Sequence, residues 1–465
     1  MELGSSCTLQ RLDAGTLSTS SLKQRIIRGS SWMLAGYVLS LALRLCSSLV
    51  LTRLLAPDIY GVMSIGYMAV TALGMFSDIG LGSGVIRSRR GEDPTFLNVT
   101  WVVQIARGLV VMLAALGIAA VLSLERVHSL FPAHSVYADP RIPGLLAVVS
   151  LCGLAMGFES TKVYLARRQL AFAQLTKIDL VGQALAMLFI MVWAVFSPSV
   201  WALAFGWVFG EVIKAVLTHT SLPGPRNRIE WNASAFHEVF HFGKWAVLSS
   251  AFTFLLSSGD RIMLGAMLDA ETMGFYSVAV LLLGALQAAV AKVVGFAVLP
   301  ALSEVARDRP AELKATIYKV RRPLDVICLL TAGSLVLLGE PIIHFLYDPR
   351  YAAAGWMLGL LAITLTATRL DVFDQCLVAM GKVRLLSVLN AVRLIALYTL
   401  VPVGYTAFGV RGAVAGVAVS AIVNSAVVLG LQSRLKLIDV RQEFLAVPLF
   451  AAGALAGWVA RHALQ

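Results

Sequence analysis

Apolar and polar positions fall along this chain in long blocks rather than in alternation. Runs near the ~20 residues that cross a bilayer occupy 31–52, 60–84, 97–122, 142–165, 177–197, 199–217, 244–266, 274–299, 323–343, 353–379, 385–403, 409–431 and 444–462. Blocks of this length exceed an ordinary strand, so the pattern predicts an all-α polytopic membrane protein of about 13 transmembrane helices, within a range of about 12–14. Runs 177–197 and 199–217 are separated only by Phe196-Ser197-Pro198-Ser199, where the proline ends one helix. The polar N-terminal stretch lacks the apolar core of a signal peptide and reads as a cytoplasmic tail.

The blocks recur. Trp32 returns as Trp245, Leu55 as Leu268, Gly61 as Gly274 and Gly82 as Gly295, all at one spacing. A duplicated unit in an apolar chain implies two pseudo-symmetric six-helix lobes around a shared space. The longest internal polar stretch contains Pro223-Gly224-Pro225-Arg226-Asn227-Arg228 and separates the copies. The expected organisation is a tail over 1–30, an N-lobe over 31–217, a cytoplasmic linker over 218–242, a C-lobe over 243–432 and a C-terminal helix over 433–465.

Composition agrees: 58% of residues are hydrophobic, 14% are charged, and mean hydropathy is +0.81. A soluble domain is typically about 45–50% apolar and about 25% charged. The net charge of +12 follows from topology. With the N-terminus cytoplasmic, about 24 Lys and Arg fall in inner segments and about 6 in outer ones (Arg53, Arg126, Arg141, Arg350, Arg411 and Arg461), as the positive-inside rule requires. A nucleic-acid partner is not needed. The five cysteines show neither metal-ligand spacing nor a disulfide framework.

The remaining basic residues lie in or near apolar runs: Arg44, Arg107, Lys162, Lys214, Arg261, Lys292, Arg369 and Arg393. A charge at the bilayer centre costs at least ~2.5–3.5 kcal/mol, which makes such residues functional candidates. Glu159 with Lys162, and Glu211 with Lys214, have the i,i+3 spacing of local pairs. Arg261 and Lys162 can snorkel toward an interface. Arg44, Arg107, Arg369 and Arg393 have no opposite charge three or four residues away, so each needs an acid from another helix or a ligand. Guanidinium forks suit a diphosphate, and these four are the candidate cavity cations. Glu211, near mid-helix, and Asp374, beside the like-charged Asp371, are the candidates for proton or sodium coupling. No other cofactor and no metal is expected.

Ser30 to Arg90 contains the early Trp32, the turn Leu54-Leu55-Ala56-Pro57-Asp58-Ile59-Tyr60-Gly61 and Asp78-Ile79-Gly80-Leu81-Gly82. Phe242 to Ala279 contains Asp260-Arg261 and Gly274-Phe275-Tyr276. These segments resemble bacterial polysaccharide transporters, the O-antigen and exopolysaccharide flippases of the multidrug/oligosaccharidyl-lipid/polysaccharide superfamily. The resemblance implies a V-shaped pair of bundles in the bacterial inner membrane that moves a polyprenyl-diphosphate-linked oligosaccharide by alternating access. Lipid-linked oligosaccharide, membrane lipids and the polysaccharide polymerase or export machinery are the partners it implies. The alternatives are a multidrug extruder or a peptidoglycan-precursor flippase of the same superfamily and, from another class, a polytopic glycosyltransferase or glycan polymerase. Against the enzyme stand the absent nucleotide loop, metal cluster and nucleophile triad.

Overall fold

The computed structural model describes residues 32–77, 81–88, 90–129 and 131–463. The expected tail and the Asp78-Ile79-Gly80 part of the second motif lie outside the described residues. Among the described residues the chain is helical, without a strand. The first half comprises α1 (Trp32–Leu54), α2 (Pro57–Ser77), α3 (Leu81–Arg87), α4 (Pro94–Leu122), α5 (Glu125–His128), α6 (Arg141–Gly157), α7 (Lys162–Arg168), α8 (Phe172–Phe196) and α9 (Val200–Ser221). The second comprises α10 (Ala233–Met267), α11 (Ala270–Val293), α12 (Leu299–Asp308), α13 (Leu313–Leu346), α14 (Ala354–Leu361), α15 (Leu365–Thr368), α16 (Asp371–Ala379), α17 (Val383–Arg434), α18 (Val440–Phe444) and α19 (Ala446–Ala463).

Local chemistry sets several starts. Asp93 caps α4 by accepting from the Thr95 N–H, with Pro94 at the first helical position. Asn232 caps α10 through the Ala235 N–H, and Asp269 caps α11 through the Thr272 N–H. Each cap satisfies a backbone donor that the helix leaves open.

Among the described residues ten helices are long and apolar enough to cross a membrane, or eleven if the bent pair α6 and α7 is one span. The thirteen expected from sequence are therefore not established by that measure. One difference is that α17, at 52 residues, is two arms. Phe408 (φ −136°) and Gly409 (φ 62°) break its geometry, and the arms fold back so that Gly412 packs on the Gly404 carbonyl and Gly416 on the Leu400 carbonyl. The GxxxG spacing serves close packing here. Pro402, which reads from sequence as a terminator, lies inside the helix instead. The expected single helix over 142–165 is also interrupted, bending by 61° between α6 and α7.

The halves meet at one end of the bundle. A Cβ on Gly61 would fall 1.7 Å from the Ala270 carbonyl oxygen, and one on Gly274 would fall 2.0 Å from that of Pro57. Only glycine permits this backbone approach. Around it the Val136 N–H donates to the Leu268 carbonyl at 2.9 Å, the Tyr137 hydroxyl to Ile262 at 3.1 Å and the Tyr351 hydroxyl to Leu55 at 3.0 Å. The turn between α9 and α10 is fastened to the first half: Asn227 bonds Ser160 and Thr161, and Asn98 bonds both the Arg228 N–H and Glu230.

Candidate functional site

The four arginines singled out from sequence occupy different surroundings. Arg369, between α15 and α16, is 6% exposed. It donates to Asp325 of α13 at 3.1 Å and to Glu443 of α18 at 3.2 Å. The same carboxylates hold Arg321, which is 1% exposed, pairs with Asp325 at 3.1 Å and contacts Glu443. The Tyr318 hydroxyl completes the group by donating to Glu443 at 2.9 Å. Two guanidinium ions and two carboxylates thus neutralise one another across three segments. Read from sequence, Arg321 belongs to an inner basic loop; the structure buries it in α13.

Arg393, on the first arm of α17, makes a forked pair with Asp374 at 2.8 and 3.1 Å and reaches Asn424 on the second arm at 2.8 Å. Asp374 is therefore engaged by a cation. Arg107 is partly buried on α4, one turn beyond Gln104, which itself donates to the Gly157 and Glu159 carbonyls. Arg44 sits midway along α1, exposed, with no ion-pair partner among the described residues.

Arg44 follows Tyr37 by two helical turns on the same face. That face meets the second half, where the Lys292 ammonium lies 5.6 Å from the centre of the Tyr37 ring. Deeper in, the Arg261 guanidinium lies 5.6 Å from the centre of the Tyr67 ring, which also contacts Trp207 at 5.8 Å. Tyr67 is 43% exposed and central in α2, so a phenol lies open in the middle of a span, with the partly buried Arg261 against it. Side chains of this polarity belong to a water-filled cavity rather than to acyl chains. Arg261 and Lys292 of the second half thus meet Tyr67 and Tyr37 of the first, with Arg44 two turns along α1 from Tyr37. Sequence reading counts Arg261 and Lys292 among the intramembrane cations but sets Arg261 aside as able to snorkel and offers no partner for Lys292. The tyrosines they face, Tyr67 and Tyr37, lie on other helices.

The acidic candidate Glu211 belongs to a second cluster. Lys214 pairs with Glu159 at 2.9 Å and approaches Asp179 at 3.9 Å, while Glu211 precedes it by one turn on α9. The Glu159–Lys162 pair expected from spacing does not form. The bend between α6 and α7 removes the i,i+3 geometry, and Lys162 donates instead to the His219 carbonyl at 2.8 Å.

A multi-pass all-helical membrane protein of this kind fits the multidrug/oligosaccharidyl-lipid/polysaccharide transporters. Solved structures share the fold: lipid II flippase MurJ in an inward closed conformation (TM-score 0.67, 11% identity, 93% of this chain and 92% of that one) and an inward-facing multidrug resistance MATE transporter (TM-score 0.60, 14% identity, 87% and 94%). A family model described as "Polysaccharide biosynthesis protein" matches residues 50–354, well over half of the sequence, and the chain belongs to that family. The relatives include a putative O-antigen transporter of Shigella flexneri, 21% identical over 88% of this chain and 98% of its own length. Lipopolysaccharide biosynthesis protein WzxC of Escherichia coli K12 is 18% identical over 74% of this chain and 67% of its own. Succinoglycan biosynthesis transport protein ExoT of Rhizobium meliloti is 22% identical over 73% and 66%.

Proposed function

We propose that this chain is a flippase that carries polyprenyl-diphosphate-linked oligosaccharide units across the bacterial inner membrane for surface polysaccharide biosynthesis. Its N-terminus is cytoplasmic in this reading, and the halves act as two lobes that rock about the space between them. The observation that supports it is the set of cations Arg44, Arg261 and Lys292, the latter two set against Tyr67 and Tyr37 across the two halves. A diphosphate needs fixed positive charge, and a guanidinium supplies it with two parallel donors. Sugars travel in the aqueous cavity while the polyprenyl tail stays in lipid. The relatives' names, O-antigen transporter and succinoglycan transport protein among them, support the cargo class and a transporter rather than an enzyme. A multidrug extruder handling cationic compounds is disfavoured by the same basic lining.

We assign diphosphate binding to Arg44 with Arg261 and Lys292, and place Arg107 on the first-half wall. Arg369 and Arg393 enter only if substrate displaces the carboxylates that hold them. For ion coupling we favour Glu211 over Asp374, since Arg393 occupies both oxygens of the latter. Export of surface glycan in a flippase-deficient strain tests the assignment. Arg44→Ala and Arg261→Ala should each cut export at least tenfold at normal protein levels. Wild-type export from both variants would sink it.

A further inference from the structure

Basic residues are scarce on the side expected to face outward, yet two of them share one groove. It opens between α13, α14, the second arm of α17 and α19, with a cavity of about 270 Å³ lined by Glu340, Trp356, Leu360, Ile363, Arg411 and Arg461. The Arg411 guanidinium lies 5.9 Å from the centre of the Trp356 ring and has no ion-pair partner among the described residues. Arg461 shares its fork with Glu340 at 3.1 Å. Two cations against one carboxylate leave the groove with a surplus positive charge.

Depth is the second observation. Arg411 follows the Gly409 break, Arg461 nearly ends α19, Trp356 opens α14, and Glu340 lies less than two turns from the end of α13. At 1.5 Å per residue, all four lie within roughly 10 Å of their helix ends. That is the level of lipid headgroups, where tryptophan and arginine anchor proteins. Leu360 and Ile363 continue the groove inward with apolar surface.

We propose that this groove binds the phosphodiester headgroup of an anionic membrane phospholipid. The phosphate lies against Arg411 and Arg461, and the first acyl carbons lie against Leu360 and Ile363. The positive-inside bias disfavours arginine on this side, and a bound phosphate gives both residues a use there. Glu340 competes for Arg461, so the carboxylate limits affinity and favours exchange with bulk lipid.

Native mass spectrometry of the purified full chain, with phosphatidylglycerol or phosphatidylcholine of matched acyl chains added, tests this. Phosphatidylglycerol should be retained at least threefold more than phosphatidylcholine. Retention should fall at least threefold in Arg411→Gln/Arg461→Gln and stay unchanged in Arg126→Gln. Glu340→Gln, which removes the competitor without removing a cation, should raise retention and keeps the proposal testable should the double variant fold poorly. Equal retention of the two lipids, no gain in Glu340→Gln, or displacement of phosphatidylglycerol by millimolar inorganic phosphate would each overturn it. The readout is lipid retention, so it succeeds or fails independently of glycan export.

Discussion

Glu443→Gln removes one charge from the buried group of Arg321, Arg369, Asp325 and Glu443 while keeping the side chain's volume and one accepting oxygen. Among the described residues, Asp325 then remains the single carboxylate paired with two guanidinium ions. Arg321 is 1% exposed and Arg369 6%, so water cannot replace the lost charge at either. Removing one partner of a buried pair costs about 3–5 kcal/mol. The retained oxygen places this change near the lower end, about 3 kcal/mol, which is more than a hundredfold in the folding equilibrium at about 1.4 kcal/mol per tenfold. Equilibrium unfolding of the purified chain in mild detergent, followed by tryptophan fluorescence, measures it. Arg321→Gln combined with Glu443→Gln leaves one cation and one anion, so the double variant should lose less than the sum of the singles, with a coupling of at least about 1 kcal/mol. Additive losses, or a single variant as stable as the wild type, would refute the reasoning. A rise in substrate binding without loss of stability would mean instead that Arg369 serves the cargo.

Gly61→Ala forces a Cβ to within 1.7 Å of the Ala270 carbonyl oxygen, an overpacking worth about 1–3 kcal/mol against the state in which this end is closed. Thiol labelling of Val136→Cys, in a background without native cysteines, should rise severalfold; unchanged labelling would remove the glycine contact from the closing mechanism. Gly409→Ala should cost about 1–3 kcal/mol by backbone strain alone, because a Cβ there meets nothing within 4 Å. Gly430→Ala, equally open and within a regular arm of α17, should be neutral or stabilising in the same unfolding measurement. At the closed end, Arg141 joins Asp139 at 2.7 Å to Asp58 at 2.9 Å. Burial pushes the Asp139 carboxyl up, but its hydrogen bonds with Arg141 outweigh this and hold it below the ordinary carboxylate value. A depressed folded value means the stabilisation is complete above the unfolded value of about 3.9 and is lost as pH falls through the folded one. The stability gap between wild type and Asp139→Asn should therefore be constant from about pH 8 to 5 and shrink below about 4; a gap closing near neutrality would contradict the assignment.

Most span positions were legible because twenty apolar residues in a row have few other uses, although the count of thirteen is not established. Breaks inside spans were not: the α6 to α7 bend carries no proline, and its neighbours Gly153 and Gly157 also suit close packing against Gly108. The repeat brought Leu55 and Leu268 to equally buried places and Gly61 against the turn that holds Gly274, so its register located the contact between halves. It did not extend to Gly82 and Gly295. Gly82 lies in α3 beside Tyr164, whereas Gly295 sits in a wide turn at Val294–Val298 with open space around it. The candidate site was half legible. That Arg44, Arg369 and Arg393 lacked partners on their own helices was readable from spacing. Which of them would find acids on neighbouring segments was not, since Asp325 and Glu443 reach Arg369 only through packing of the C-terminal segment on α13. Arg321 was misread because a basic loop and a buried guanidinium look alike one residue at a time.

The meeting of Gly61 and Gly274 involves main chain alone on both sides. It has no rotamer to adjust, no proton to lose and no side chain to match to cargo. Residues elsewhere between the halves can therefore change to suit a different glycan without disturbing this contact, which holds no titrating group of its own. A lineage of such proteins can diversify what it carries while inheriting this main-chain contact unchanged.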